Sequence, residues 1–212
     1  MEKLLLVFSL AVIIGQAYSC CMPQKLEGKI GMSIGLKNNG TPLALTAFYD
    51  KWAMDTSIGK GYLSGTLYYG QYPVQQEVFQ DYNQGKQYEL SYGRCTVSPL
   101  LFDIKPIGGK LCMPPSAKMM TSYKGLLNDT VDFDMYLIQF PGGQMTMSLT
   151  TKDCAPLSEN ILTPEGVFSL GFMGLTEGIT DPSVFEMPQA CQDLQPSRRK
   201  REVRNVPFVP SI

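Results

Sequence analysis

A mostly β protein with few short helices is the fold class this sequence predicts. From Gly28 onward apolar residues alternate with polar ones or come in short β-rich runs, and Gly, Pro, Asn and Asp break those runs about every ten residues. No long window carries the i, i+3, i+4, i+7 apolar spacing of an amphipathic helix. Many short antiparallel strands must fold over or close on themselves to cover their apolar faces, so a barrel-like or folded-over sheet is expected.

The chain opens with Met1-Glu2-Lys3, an apolar run from Leu4 to Ile14, and small residues three and one positions before Cys20. That is the layout of a secretory signal peptide cut after Ser19. The run is shorter than the ~20 residues a membrane-spanning helix needs. An exported chain without a transmembrane segment is expected, and the remaining 193 of 212 residues suit one domain.

Strands are expected near residues 29–36, 43–53, 61–69, 87–94, 96–103, 118–123, 131–140, 144–151 and 167–175. Lys37-Asn38-Asn39-Gly40 and Pro141-Gly142-Gly143 read as hairpin turns, because Asn and Gly adopt positive φ readily. Short helices are expected at Glu77 to Asn83 and Pro182 to Phe185. Beyond Cys191 the sequence turns polar and then basic, without periodicity, and residues 195–212 are expected to form a disordered tail. Within it Arg198-Arg199-Lys200-Arg201 fits a proprotein-convertase site cut after Arg201.

Composition removes several classes of function. The chain has no histidine, so serine and cysteine nucleophiles lack their usual base, and no GxSxG elbow, phosphate loop or dinucleotide fingerprint occurs. A non-enzymatic role is expected. From Cys20 to Ser197 there are 12 Lys and Arg against 17 Asp and Glu, a balance of −5, which disfavours nucleic acid as a partner. The six cysteines at 20, 21, 95, 112, 154 and 191 are read as three disulfides, and six cysteines allow 15 connectivities. Asn39-Gly40-Thr41 and Asn128-Asp129-Thr130 are N-glycosylation sequons, with Asn128 favoured over Asn39. Asp129, Asp132 and Asp134 are candidate calcium ligands, although their spacing is not that of an EF-hand, and Asp132 and Asp134 are expected on one solvent face. No other cofactor is expected. Twelve methionines and a rich supply of strand-borne aromatics could either fill a core or line a cavity.

The stretch from Gly178 to Cys191 resembles the C-terminal signature of the ependymin family, G-I-x-D-P-x-x-F-x-x-P-x-x-C. Cys21-Met22-Pro23 with Glu27-Gly28, Tyr49-Asp50, and Thr150 to Pro156 are similar to further motifs of that family, as are Lys105-Pro106 and Pro114-Pro115-Ser116-Ala117. The likeness is to ependymin-related proteins of invertebrate type and covers roughly Cys20 to Cys191, within one β domain expected over residues 20–194. It implies two antiparallel sheets curved around an apolar pocket, a half-barrel resembling bacterial lipoprotein carriers. It further implies a secreted, disulfide-bonded glycoprotein, often a homodimer, carrying a fatty acid or other lipid-like ligand. An alternative role is a calcium-responsive extracellular or shell-matrix protein. The implied disulfides are Cys21–Cys154 and Cys95–Cys191, leaving Cys20–Cys112. With that fold and the strand alternation, the pocket candidates are Phe48, Trp52, Tyr69, Tyr88, Leu137, Ile138 and Phe168.

Overall fold

The computed structural model describes residues 20–38, 41–100, 109–126 and 129–194. Asn39, Asn128, Lys105-Pro106, the leader 1–19 and the tail with Arg198, Arg199, Lys200 and Arg201 lie outside the described residues.

The fold is mostly β, with two antiparallel sheets of unequal size. In chain order the strands are β1 (Cys20–Cys21), β2 (Lys25–Asn38), β3 (Thr41–Asp55), β4 (Lys60–Tyr69), β5 (Tyr72–Asp81), β6 (Lys86–Ser91), β7 (Arg94–Pro99), β8 (Cys112–Met113), β9 (Lys118–Leu126), β10 (Asp129–Phe140), β11 (Gly143–Thr150), β12 (Pro156–Leu162) and β13 (Gly166–Glu177). Strands β2 to β7 and β9 to β13 form one sheet of eleven, in the order β7-β6-β5-β4-β3-β2-β13-β12-β11-β10-β9. Its edges, β7 and β9, do not pair, so the sheet is curved but not closed. β1 and β8 form a two-stranded ribbon. A 3-10 turn at Pro182–Phe185 and the short helix α1 (Gln189–Gln192) follow β13.

Tight turns set the hairpins. Pro141-Gly142 joins β10 to β11, with Gly142 at φ 91°, and Tyr92-Gly93 joins β6 to β7 with both residues at positive φ. Besides the short ribbon strands β1 and β8, two segments differ from expectation. The Glu77 to Asn83 stretch is mostly strand β5, and β12 was not anticipated. Both carry polar residues on the inner face, Gln76 and Gln80 on β5 and Glu159 on β12, which obscures the alternation a half-buried strand normally displays.

The large sheet bends along one line. Ladder irregularities fall between Met173 and Thr176 in β13, between Gly28 and Ile30 in β2, and between Tyr49 and Lys51 in β3. Bulges in adjacent strands at one level curve a sheet and raise its twist. The β3 backbone there presses on Gly65 of β4, where an added Cβ would meet the Phe48 carbonyl oxygen and the Tyr49 Cα. Glycine is required by that close approach.

Two apolar layers result, one on each face. Inside the curve lie Leu26, Ile30, Leu45, Tyr49, Trp52, Met54, Leu63 and Leu67 from one half, and Tyr136, Met145, Met147, Leu149 and Ile161 from the other. On the outer face a cross-strand row of Ala53, Tyr62, Phe79 and Tyr88 is covered by Val184 and Cys191 of the C-terminal segment.

Three disulfides fasten these layers: Cys20–Cys154, Cys21–Cys112 and Cys95–Cys191. The implied Cys21–Cys154 and Cys20–Cys112 pairs are therefore corrected. Cys21 lies directly across the ribbon from Cys112, with Cα atoms 3.8 Å apart. Adjacent strand residues point to opposite faces, so Cys20, paired with Met113, presents its thiol on the other face of the ribbon from Cys21 and bonds Cys154. Cys95 on β7 holds Cys191 of α1, clamping the C-terminal segment over the outer core.

Candidate functional site

Between the two halves of the curved sheet is a cavity of about 290 Å³. Its wall is largely apolar: Trp52, Leu63 and Leu67 on one side face Met147, Ile161 and Phe168 on the other. Trp52 meets Phe172 edge-on, with ring centroids 5.2 Å apart at 61°. The β1–β8 ribbon and its flanks add Met22 and Leu111, and Thr56 ties this end down by donating its hydroxyl to the Gly109 carbonyl at 2.7 Å.

The β3 bulge decides which side chains enter. Leu45, Ala47 and Tyr49 alternate inward, and after the irregularity at Asp50 the inward set becomes Trp52 and Met54. A strand without a bulge would place Phe48 and Trp52 on one face. Instead Phe48 points outward and is 44% exposed while Trp52 is buried. Of the expected pocket residues, Trp52 and Phe168 line the cavity. Tyr69 sits exposed at the end of β4, and Tyr88 is buried in the outer core on the opposite face of β6. Ile138 packs at the edge of the inner core without reaching the cavity, and Leu137, of opposite parity on β10, is only half-buried.

The polar part of the wall was missed by sequence reasoning, because a lone Gln or Glu in a strand reads as solvent-facing. Gln76 donates to the Tyr49 hydroxyl, and the Tyr82 hydroxyl donates to Gln80 Oε1 at 2.8 Å. Gln87 donates to Glu89 Oε1 at 2.7 Å. Burial pushes the Tyr49 phenol up to about 12 and raises the Glu89 carboxyl above its ordinary value. Glu159 faces the cavity between its cross-strand neighbours Met147 and Leu170. It is 8% exposed, and desolvation lifts its carboxyl to about 7. Among the described residues desolvation alone accounts for this rise, with no cation or hydrogen bond offsetting it; the Tyr82 phenol is near enough to feel its charge, and none of the described residues lining the cavity is Lys or Arg.

The three candidate calcium ligands do not form a site. Asp129 and Asp132 are exposed, whereas Asp134 is buried and receives Lys118 Nζ at 2.8 Å and the Thr121 hydroxyl at 2.6 Å. Tyr136, two residues on, shares the inner face and also donates to Asp134, which is why Asp134 is not on a solvent face. Among the described residues no three His, Cys, Asp or Glu side chains gather closely enough to hold a metal ion.

A curved, unclosed antiparallel sheet enclosing a mainly apolar cavity defines the class of this protein. The chain belongs to the ependymin family, whose model matches residues 71–191, more than half its length. Among solved structures it is similar to LprF from Mycobacterium bovis at 9% identity and a TM-score of 0.36, covering 76% of this chain and 89% of that one. It is also similar to a DUF1329 family protein from Desulfovibrio piger at 11% identity and a TM-score of 0.28, covering 87% and 97%. Likenesses this distant say nothing about a ligand.

Proposed function

We propose that this chain is an exported, non-enzymatic carrier that holds one apolar, lipid-like ligand between the halves of its curved sheet. The observation that supports the reading is the cavity itself. Protein interiors are close-packed, with few voids larger than a water molecule, yet here about 290 Å³ stays open among Trp52, Leu63, Met147, Ile161 and Phe168. Ligand pockets span roughly 300 to 1,000 Å³, so a single chain suits this space better than a bulky lipid. Methionines at 22, 32, 54 and 147 give the wall adaptable side chains. Three disulfides fit an oxidising compartment, in keeping with the leader expected at residues 1–19.

The test is native mass spectrometry of the secreted protein, followed by denaturation and extraction. A released single-chain lipid in stoichiometric amount is the expected result. An empty protein whose Trp52 emission is unmoved by dodecanol would overturn the reading. Trp52 is the one tryptophan of the chain and lines the cavity, so its emission reports occupancy directly.

A further inference from the structure

The wall chemistry narrows the ligand, given the carrier reading on which this inference rests. We propose that the cavity takes a single-chain amphiphile with a cationic or hydrogen-bond-donating head, a long-chain amine, and that the head lies against Glu159.

The described polar groups in the wall are neutral or acidic. The Tyr82 hydroxyl donates to Gln80, and the Gln76 and Gln87 amides each give one N–H, to Tyr49 and to Glu89, so the donors that remain carry no charge. Glu159 and Glu89 are both carboxyls, on β12 and β6, on opposite sides of the space. A fatty-acid carboxylate entering here would bring a further negative charge into an apolar enclosure, with no lysine or arginine among the described lining residues to receive it. Burying an unpaired charge is costly, and a like charge adds to that cost. An ammonium head reverses the balance. It supplies the partner that Glu159 lacks and donates hydrogen bonds to a group that is more than nine-tenths buried. The raised carboxyl of Glu159 is the free-state counterpart, since burial without a partner disfavours its anion. Around it Met147, Leu170 and Ile161 provide the apolar surface along which a hydrocarbon chain would run.

The experiment compares dodecylammonium, dodecanol and dodecanoate on the full-length secreted protein at about pH 8, above the titration of Glu159, by calorimetry and Trp52 emission. Dodecylammonium is expected to bind at least about tenfold more tightly than dodecanoate, with dodecanol between them. In Glu159→Gln the amine is expected to lose about tenfold in affinity, while dodecanol binding is unchanged. Glu89→Gln, a second isosteric variant, is expected to weaken the amine less. Dodecanoate binding as well as or better than the amine overturns the inference and leaves the carrier reading intact. An amine preference that survives Glu159→Gln overturns the placement of the head. Failure of all three ligands to bind overturns the inference together with the carrier reading.

Discussion

The Glu27 carboxylate accepts two hydrogen bonds from Thr180, one from its backbone N–H at 2.8 Å and one from its hydroxyl, across 153 residues of sequence. Next to it Lys51 Nζ lies 3.8 Å from Asp181, whose carboxylate also accepts from the backbone N–H and hydroxyl of Ser183. The first turn of the chain's C-terminal signature is thus docked onto the bulged level of β2 and β3. Thr180→Val is expected to cost about 1 kcal/mol and to speed amide exchange in residues 178–191. The Thr180 hydrogen bonds hold the Glu27 carboxyl below its ordinary value. Their contribution is present above the unfolded-state value of Glu27 and is lost as pH falls through the lower folded value. In acid the variant and the parent should converge, which denaturant melts at two pH values will check.

Gly65→Ala should destabilise by about 1 to 3 kcal/mol, because the new methyl meets the Phe48 and Tyr49 backbone rather than a movable side chain. Denaturation midpoints would read this. A neutral result would remove the bulge contact as the reason for glycine here.

Glu159→Gln should flatten the pH dependence of stability. The Glu159 carboxyl stands at about 7 when folded against 4.5 as its ordinary value. The stability associated with its protonated form is therefore complete below about 4.5 and is lost as pH rises through about 7. Glu89, also raised by burial, adds in the same direction. Above this window the variant should be more stable than the parent by up to about 3 kcal/mol, measured as thermal midpoints across pH.

The Tyr88 hydroxyl is buried without a hydrogen-bond partner among the described residues. Tyr88→Phe removes an unsatisfied group while keeping the ring in the outer core. The expected effect is neutral to stabilising, by up to about 1 kcal/mol. A marked loss of stability would show that the hydroxyl is paired in solution.

Replacing Cys95 and Cys191 together by serine should cost about 2 to 4 kcal/mol and release the segment over Tyr62, Phe79 and Tyr88. Binding of an apolar dye to the uncovered outer face would report it. Because the cavity lies on the other face, Trp52 emission should stay unchanged.

The strand character of most elements was legible because turns and alternation are local. What failed was parity. Phe48 and Trp52 differ by an even number of positions, and only a bulge invisible in the local pattern separates their faces. Tyr88 is apolar for an equally sound reason that has nothing to do with a ligand: the C-terminal segment covers its face. Glu159, the most distinctive group of the wall, was not singled out, since nothing within β12 tells that its side chain points into an enclosed space. The Cys20 and Cys21 partners were exchanged for a related reason. Two neighbouring cysteines on one strand are distinguished only by the faces they present, which the pairing of β1 with β8 sets.

Glu27-Gly28 and Tyr49-Asp50 lie at the bend of the sheet, and Thr180-Asp181 is the strap laid over it. Of the six only Tyr49 lines the cavity. The motifs that make this lineage recognisable therefore describe mostly a hull and touch the hold at Met22, Tyr49 and Pro156, while residues outside them, such as Met147, Ile161 and Glu159, furnish much of the rest. On the proposed carrier reading, one exchange at position 159 would rewrite cargo preference without altering a single letter of the signature at residues 178–191.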